Sequence, residues 1–379
     1  MILGIDAFNL RDGGGVTHIR ELLSISEPLK YGFTKFVIFG SRKSLNQLDD
    51  KPWLCKVYVP ELERNFLYRA FWHVFKLKRA AMAYGCDIMF SPGGIAAHRF
   101  SPCVTMCRNM LPFEYSELKR YGFSLTFFKL LLVRIFQIIS FRKCAGLIYL
   151  TDYARATVSP QLGVTKNKVV TISHGINKKD FSAAFGKDRL DFPKNHKIEV
   201  IYVSSISPYK HHDFVIKGIL KLINKGHSLR LNLIGGDGGS LKLMQDFMRE
   251  EGISTSSVNY IGKLSHTDLI EYYRLADVAI FASTCENMPN ILLEKMASGI
   301  PVACSMKGPM QEVLGSAGIY FEVGDLKSMC GAIEKILNSR EQREEMIKQS
   351  KEIIESYSWE KCSRETLNFL VDVASEYAK

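Results

Sequence analysis

The sequence predicts an α/β chain of two doubly wound domains, each a mostly parallel sheet covered by helices. Its length and composition allow this: 379 residues suit two domains with a core apiece, and 46% hydrophobic against 23% charged residues is globular composition. Its strand candidates are short apolar runs that lead through glycine or small polar residues into helical patterns, first at Met1–Phe8 and again at Ile198–Val203 and Val278–Phe281. Between the first and second groups lies a mixed charged stretch, Lys178 to His196 with Pro193, which reads as an interdomain linker.

Composition narrows the class further. Nine cysteines, an odd number at irregular spacing, give no disulfide framework. Cys103 and Cys107 form CxxxC without a second pair, so no zinc site is expected. The opening MILGIDAF has no basic region and no cleavage signal, so a cytoplasmic chain without a signal peptide is expected. No run reaches the ~18 uncharged apolar residues that a membrane span needs. The net charge of +11 is uneven: residues 1–190 carry 28 Lys and Arg against 14 Asp and Glu, and the remainder carries 22 against 25. A basic half suits nucleic acid, an anionic membrane or an anionic acceptor; no nucleic-acid motif accompanies it, so no nucleic-acid partner is expected.

In chain order, the first strand runs into Asn9 to His18, a loop containing Gly13, Gly14 and Gly15, and then a helix from about Val16. A glycine loop here brings backbone close to a ligand, but it is not GxGxxG, which disfavours a dinucleotide fold. Lys35–Gly40 and Lys56–Val59 read as strands. Leu62 to Tyr84 reads as one long helix, and Leu125 to Phe141 as a second; both mix aromatic and aliphatic residues with Lys and Arg. Such faces are either core or a membrane-interface surface. Ile88–Phe90 and Val104–Met106 are strands ending in loops, the second with Arg108 and Asn109, and Leu147–Thr151 and Val169–Ser173 follow, the last leading into His174-Gly175. Ile198–Val203 opens the second domain, with Ser205 and Lys210 in the loop after it. Leu231–Ile234 ends in a glycine turn, Val258–Leu264 carries Lys263, and Gly308–Val313 with Gly318–Phe321 complete the sheet.

The richest stretch is Ala276 to Pro301, ADVAIFASTCENMPNILLEKMASGIP. A strand, Val278–Phe281, passes through Cys285-Glu286-Asn287-Met288-Pro289-Asn290 into a helix that stops at Gly299, with Pro289 suiting the first helical turn. Free N–H groups and the positive end of the helix dipole favour a phosphate there. Glu286 precedes that site and Glu294 lies on the helix, so the stretch suits a ligand with a diphosphate and hydroxyls.

This stretch closely resembles the donor-site signature of retaining, GT-B-fold glycosyltransferases of family 4, and the resemblance extends over nearly the whole chain. It implies two Rossmann-like domains facing across a cleft: an acceptor domain, 1–180, joined by a C-terminal helix, about 362–379, that crosses back to it, and a donor domain, 190–361. It implies an enzyme, a hexosyltransferase using a nucleotide-diphosphate sugar (UDP or GDP) as co-substrate and no metal or other cofactor; no Asp-x-Asp motif is present. By resemblance Glu286 holds sugar hydroxyls and the oxocarbenium-like state, Glu294 the ribose, and Lys210 with the amides of Asn287, Met288, Pro289 and Asn290 the diphosphate. Pro289 itself has no N–H to offer. Gly14 and Gly15 approach the diphosphate, and Lys263 the base. Two departures stand out: Ser205 replaces a usual arginine, and Arg108-Asn109 replace His-Asp in the acceptor loop. Arg108 can bind a phosphate but cannot act as a base. His174 belongs to the turn closing the first domain, as a hinge or cleft-lining residue on the acceptor side. Charge and family habit together suggest a polyprenyl-diphosphate-linked saccharide at the inner membrane surface, in O-antigen or capsule-type polysaccharide synthesis. A sugar-nucleotide epimerase of the same fold and a non-catalytic glycan-binding protein are the alternatives.

Overall fold

The computed structural model describes residues 1–10, 14–185, 190–192 and 196–377. The chain divides into two compact units, one of Met1–Phe113, Phe123–Gly175 and Tyr357–Lys379, the other of Glu114–Gly122 and Ile176–Ser356.

The first unit is built on seven strands: β1 (Ile2–Asp6), β2 (Lys35–Gly40), β3 (Leu54–Tyr58), β4 (Ile88–Ser91), β5 (Cys103–Met106), β6 (Gly146–Tyr149) and β7 (Lys168–Thr171). All pairs are parallel, in the order β3-β2-β1-β4-β5-β6-β7. Parallel neighbours need crossovers, which helices supply and which cover both faces, so the central strands are continuous apolar runs. The helices are α1 (Gly14–Ser24), α2 (Arg42–Leu45), α3 (Phe66–Phe71), α4 (Leu77–Ala83), α6 (Leu125–Lys143) and α7 (Asp152–Leu162); α5 (Tyr115–Leu118) belongs to the second unit. The expected helix from Leu62 starts at Phe66 instead. Pro60–Glu63 forms its own 3-10 turn, and the Asn65 side chain accepts from the Leu67 and Tyr68 N–H groups, which fixes the start. Between α3 and α4 the chain makes a π-turn, Trp72–Lys76.

On α6 the burial is inverted. Gln137, Ser140 and Phe141 are its buried residues, whereas Phe128, Leu132, Ile135 and Phe136 are each about half exposed or more. Phe66, Leu67, Phe71 and Phe75 are likewise exposed. Each segment is therefore split: Leu62, Trp72, Leu77 and Ala81 of the first and Phe141 of the second are core, and the aromatic and aliphatic residues just named are left exposed. No helix among the described residues is long and apolar enough to cross a membrane.

The second unit has β8 (Ile198–Val203), β9 (Leu229–Ile234), β10 (Val258–Gly262), β11 (Val278–Phe281), β12 (Val302–Ser305) and β13 (Gly318–Phe321), parallel in the order β10-β9-β8-β11-β12-β13. Its helices are α8 (Lys178–Phe185), α9 (His212–Asn224), α10 (Leu241–Glu250), α11 (His266–Leu275), α12 (Asn290–Ala297), α13 (Met310–Leu314), α14 (Leu326–Asn338) and α15 (Arg340–Ile354); α16 (Trp359–Tyr377) then packs on α1 in the first unit. In both sheets the strand order reverses beside the first strand, at β1/β4 and β8/β11, and the crevice outside the carboxyl ends there is where doubly wound folds take ligands.

Three expectations need correction. The stretch read as linker begins with α8, which packs on α11 and α12 in the second unit; Phe181 is buried edge-on to Tyr273. The rest of it, including Pro193, lies partly outside the described residues, as do Arg11, Asp12 and Gly13 of the glycine loop and the last two residues of the C-terminal helix. Gly308–Val313 is a turn and the short helix α13, and the strand beside β11 is β12. Pro289 is the residue before α12, not in its first turn.

Candidate functional site

In the second unit, two loops flank the β8/β11 crevice. After β8 the chain makes a 3-10 turn, Pro208–Lys210, and enters α9 through His211 in a left-handed conformation (φ 53°). Hydrogen bonds fasten this turn: the Tyr202 hydroxyl donates to the Lys210 carbonyl at 2.5 Å, the Thr284 N–H and hydroxyl donate to the Tyr209 carbonyl at 3.0 and 3.3 Å, and His211 Nε2 lies 2.8 Å from Thr284 Oγ1. The two loops are thus joined to each other. The glycine turn after β9 closes against the same region. A Cβ at Gly235 would lie 1.8 Å from the Ser204 carbonyl oxygen, and one at Gly238 would lie 2.0 Å from Ser207 Oγ, so neither position has room for a side chain.

These fastenings present Lys210 to Glu286. The Lys210 ammonium makes an ion pair with Glu286 Oε1, and both side chains are largely buried. The same ammonium lies 5.6 Å from the centre of the Phe281 ring and 5.3 Å from that of Tyr209, within cation–π range. Glu294, on α12, is half-buried, and its Oε2 accepts from the Tyr273 hydroxyl at 2.8 Å. Burial pushes this carboxyl's pKa up, and the Tyr273 hydrogen bond pulls it partly back. Ser205 is exposed, its hydroxyl 3.2 Å from that of Ser207, and Lys263 packs against Gly236. Asn287, Met288 and Pro289 are buried in the turn before α12. The Asn290 N–H already donates to the Met288 carbonyl at 3.0 Å, so that amide is engaged within the turn rather than presented to a ligand.

Lys295, next to Glu294, was not singled out by sequence. It is fully buried, and among the described residues its ammonium has no hydrogen-bond partner. Nothing in a one-residue neighbour of a glutamate signals this, because burial of a lysine is decided by the packing around it.

In the first unit, the loop after β5 brings Arg108 to the start of α1. A Cβ on Gly15 would lie 3.3 Å from Arg108 Nη1, so the bare glycine makes room for the guanidinium. Burial draws the Arg108 pKa down to about 10, which leaves it cationic. Gly14 opens the same helix. His18, one turn along α1, stacks on His174 at 4.7 Å, and His174 lies 5.7 Å from the Trp359 ring. His174, expected as a hinge or cleft-lining residue, is buried within this aromatic packing. Burial, with His174 and Arg108 nearby, pushes the His18 pKa well down and keeps it neutral. Asn109 is exposed, and its Oδ1 accepts from the Leu111 N–H at 3.1 Å, forming the turn that aims Arg108.

A second buried group at the ends of β1 and β4 was also missed. Asp6 Oδ2 lies 2.8 Å from His73 Nε2 and accepts from the Ser91 hydroxyl at 3.2 Å, and Ser91 Oγ lies 2.8 Å from His98 Nε2. Asp6, His73 and His98 lie close enough together to hold an ion. However, His98 Nδ1 accepts from the Phe100 N–H at 3.2 Å, which places the ring proton on Nε2, toward Ser91. The group closes as a hydrogen-bonded chain tying the π-turn to the sheet.

A family profile described as Glycosyltransferase Family 4 matches residues 13–180, and one described as Glycosyl transferases group 1 matches residues 187–353. An O-antigen chain mannosyltransferase B of Escherichia coli is 27% identical over 173 residues, 44% of each chain. The chain spans about half the length of the curated relatives it matches. Among solved structures, a sucrose-phosphate synthase from Thermosynechococcus elongatus superposes with a TM-score of 0.75 at 17% identity, covering 97% of both chains. Anabaena HepE, solved in complex with UDP and glucose, gives a TM-score of 0.67 at 15% identity, over 100% of this chain and 99% of that one. At these identities the superpositions establish the GT-B fold.

Proposed function

Because this chain belongs to the GT-B-fold glycosyltransferases of family 4, we propose that it moves a hexose-type sugar from a nucleotide-diphosphate donor, UDP or GDP, to a saccharide acceptor, with retention of configuration. The observation that carries this reading is the Lys210–Glu286 ion pair at the sheet reversal of the second unit, with the Glu294 carboxylate on the helix that follows. Lys210 neutralises the departing diphosphate, and Glu286 bonds sugar hydroxyls and stabilises the positive charge that develops at the anomeric carbon. Glu294, which keeps Oε1 for a ligand while Oε2 takes Tyr273, accepts from the ribose hydroxyls. In the second unit the Lys210 ammonium takes the place of a metal cation. Neither Arg108 nor the buried His174 suits a base on the acceptor, which favours return of the acceptor proton to the leaving phosphate on the same face.

Binding of the donor raises the melting temperature by mass action. UDP, GDP and ADP and their common sugars are the panel; one nucleotide should stabilise the wild type and lose its effect in Glu294→Ala. In turnover assays, unchanged rates in Lys210→Ala would refute the diphosphate role.

The acceptor is proposed to be a lipid-linked saccharide of the O-antigen or capsule type, reached from the inner face of the membrane. The half-exposed Phe128, Leu132, Ile135 and Phe136 on α6, in a half of the chain with a large excess of Lys and Arg, support peripheral attachment to anionic lipid. Wild-type protein should sediment with anionic vesicles and Phe128→Glu/Leu132→Glu should not; equal sedimentation would remove this part.

A further inference from the structure

Lys295 lies on α12, the helix that follows the Glu286 loop, and its relative exposure is 0%. No oxygen or nitrogen of the described residues hydrogen-bonds its ammonium. That is an expensive arrangement for a cation, because an ammonium taken out of water without a partner keeps almost none of its solvation. Its location is specific. The ammonium lies 5.2 Å from the centre of the Phe281 ring, and the Lys210 ammonium lies 5.6 Å from the same centre. Phe281 is the last residue of β11, directly before the turn that carries Glu286. Helical side chains lean toward the N-terminus of their helix, so a lysine a little over one turn inside α12 reaches back toward the beginning of that helix. One aromatic ring therefore serves two lysines at the carboxyl end of the sheet, and only Lys210 is paired.

The groups facing Lys295 are few. Glu294 is its neighbour on α12, Lys210 comes from the turn after β8, Glu286 from the loop after β11 and the Cys304 thiol from β12. The buried residues of α13 (Met310, Val313, Leu314) are apolar, and those of α15 near α12 include Met346, Ser350 and Ile354, with the Arg343 guanidinium engaged by the Ile336 and Leu337 carbonyls. On α8, Asp180 is 3.3 Å from His266. His211 and His212, beside Lys210, are both held neutral by burial. Burial likewise draws the Lys295 pKa down, to about 7, against the pull of Glu294. Cys304 is pushed up by burial and stays protonated.

We propose that Lys295 is a second, buried cation of the diphosphate site, a positioning residue that takes up a proton when the anionic diphosphate of a nucleotide sugar settles at the start of α12. This rests on the reading of the second unit as the donor-binding unit. The arrangement also answers the absence of an arginine at Ser205: the missing positive charge is supplied from beneath the cradle rather than from its rim. An incoming anion favours the charged form of the lysine, so its pKa rises on binding. Affinity is then greatest where the lysine is already protonated and falls as pH rises through 7.

The test is the affinity of UDP-glucose and GDP-mannose between pH 6.5 and 8.5, for wild type and Lys295→Met. Their phosphates are diesters and do not titrate in this window. If binding raises the lysine's pKa by about one, wild-type affinity weakens about sixfold across the window, and the variant's changes less than twofold. Calorimetry at pH 7.5 in buffers of different ionisation enthalpy should show proton uptake by wild type and none by the variant. A variant that binds with the wild-type pH dependence and proton uptake overturns the role of Lys295 and leaves the donor site standing. Binding of neither nucleotide sugar to wild-type protein at any pH in the window overturns the donor reading, and this proposal with it.

Discussion

Removing one hydroxyl, in Tyr273→Phe, tests how the Glu294 carboxylate is maintained. Tyr273 is fully buried and donates to Glu294 Oε2 at 2.8 Å. A hydrogen bond to a charged group contributes about 1.5–3 kcal/mol, and losing it leaves the acceptor desolvated without that compensation. The pH dependence identifies the cause. Burial raises the folded-state pKa of Glu294 above 4.5, and the tyrosine hydrogen bond lowers it; without the bond it rises further. For an acid whose folded pKa is raised, the folded state binds more protons, so stability falls as pH rises through the folded pKa. The variant's deficit should therefore be small near pH 4.5, where the carboxyl is protonated, and reach about 2 kcal/mol at pH 8. In a unit of this size that corresponds to a melting temperature lower by about 4–8 °C. Differential scanning calorimetry of both proteins across this range is the assay. An equal deficit at both ends would mean that the tyrosine acts through packing alone, and would refute the link to the carboxylate.

Two further outcomes follow from the same unit. Gly235→Ala places a methyl 1.8 Å from the Ser204 carbonyl oxygen at a φ of 154°, and should destabilise the second unit by about 4 kcal/mol or more, read by denaturant unfolding. Lys295→Met should be more stable than wild type. Because the folded pKa of about 7 lies below the ordinary 10.5, the gap is widest below pH 7, bounded by about 5 kcal/mol, and closes as pH rises toward 10; a pH-independent gap would contradict it.

Much of the fold was legible because a parallel sheet writes itself as short apolar runs. Ile198–Val203 and Val278–Phe281 are strands with the bounds that the sequence suggests. β12 was missed because its four residues, Val302–Ser305, directly follow Gly299 and Pro301, which punctuate the end of a helix and mask a strand starting one residue later. The amphipathic segments around Phe71 and Leu132 could be core or surface, since periodicity gives a face but not what covers it. Lys210 and Glu286 were expected in loops after strands and Glu294 on the following helix, and they lie there. Their partners were not legible. Tyr273 reaches Glu294 from a different helix, and His18 stacks on His174 from far away in sequence, so both relations exist only once the chain has folded. His174, expected as a hinge or cleft-lining residue, is buried in that stack with Trp359.

The chain leaves the first unit after Gly175 and re-enters it at Tyr357, which makes the second unit an insertion rather than an appendage. At that junction the outgoing and incoming backbones touch: a Cβ on Gly175 would lie 2.2 Å from the Trp359 nitrogen. The link at this junction is two-ply, in addition to the excursion of Glu114–Gly122 into the second unit. A protease that nicks the outgoing ply leaves the incoming one intact, and α16 keeps its grip on α1 through packing and the Ser26–Ser363 hydroxyl contact. Cleaved protein should then run as two fragments under denaturing conditions and as one particle in native buffer. The two fragments, made separately, are accordingly natural candidates for reassembly by complementation.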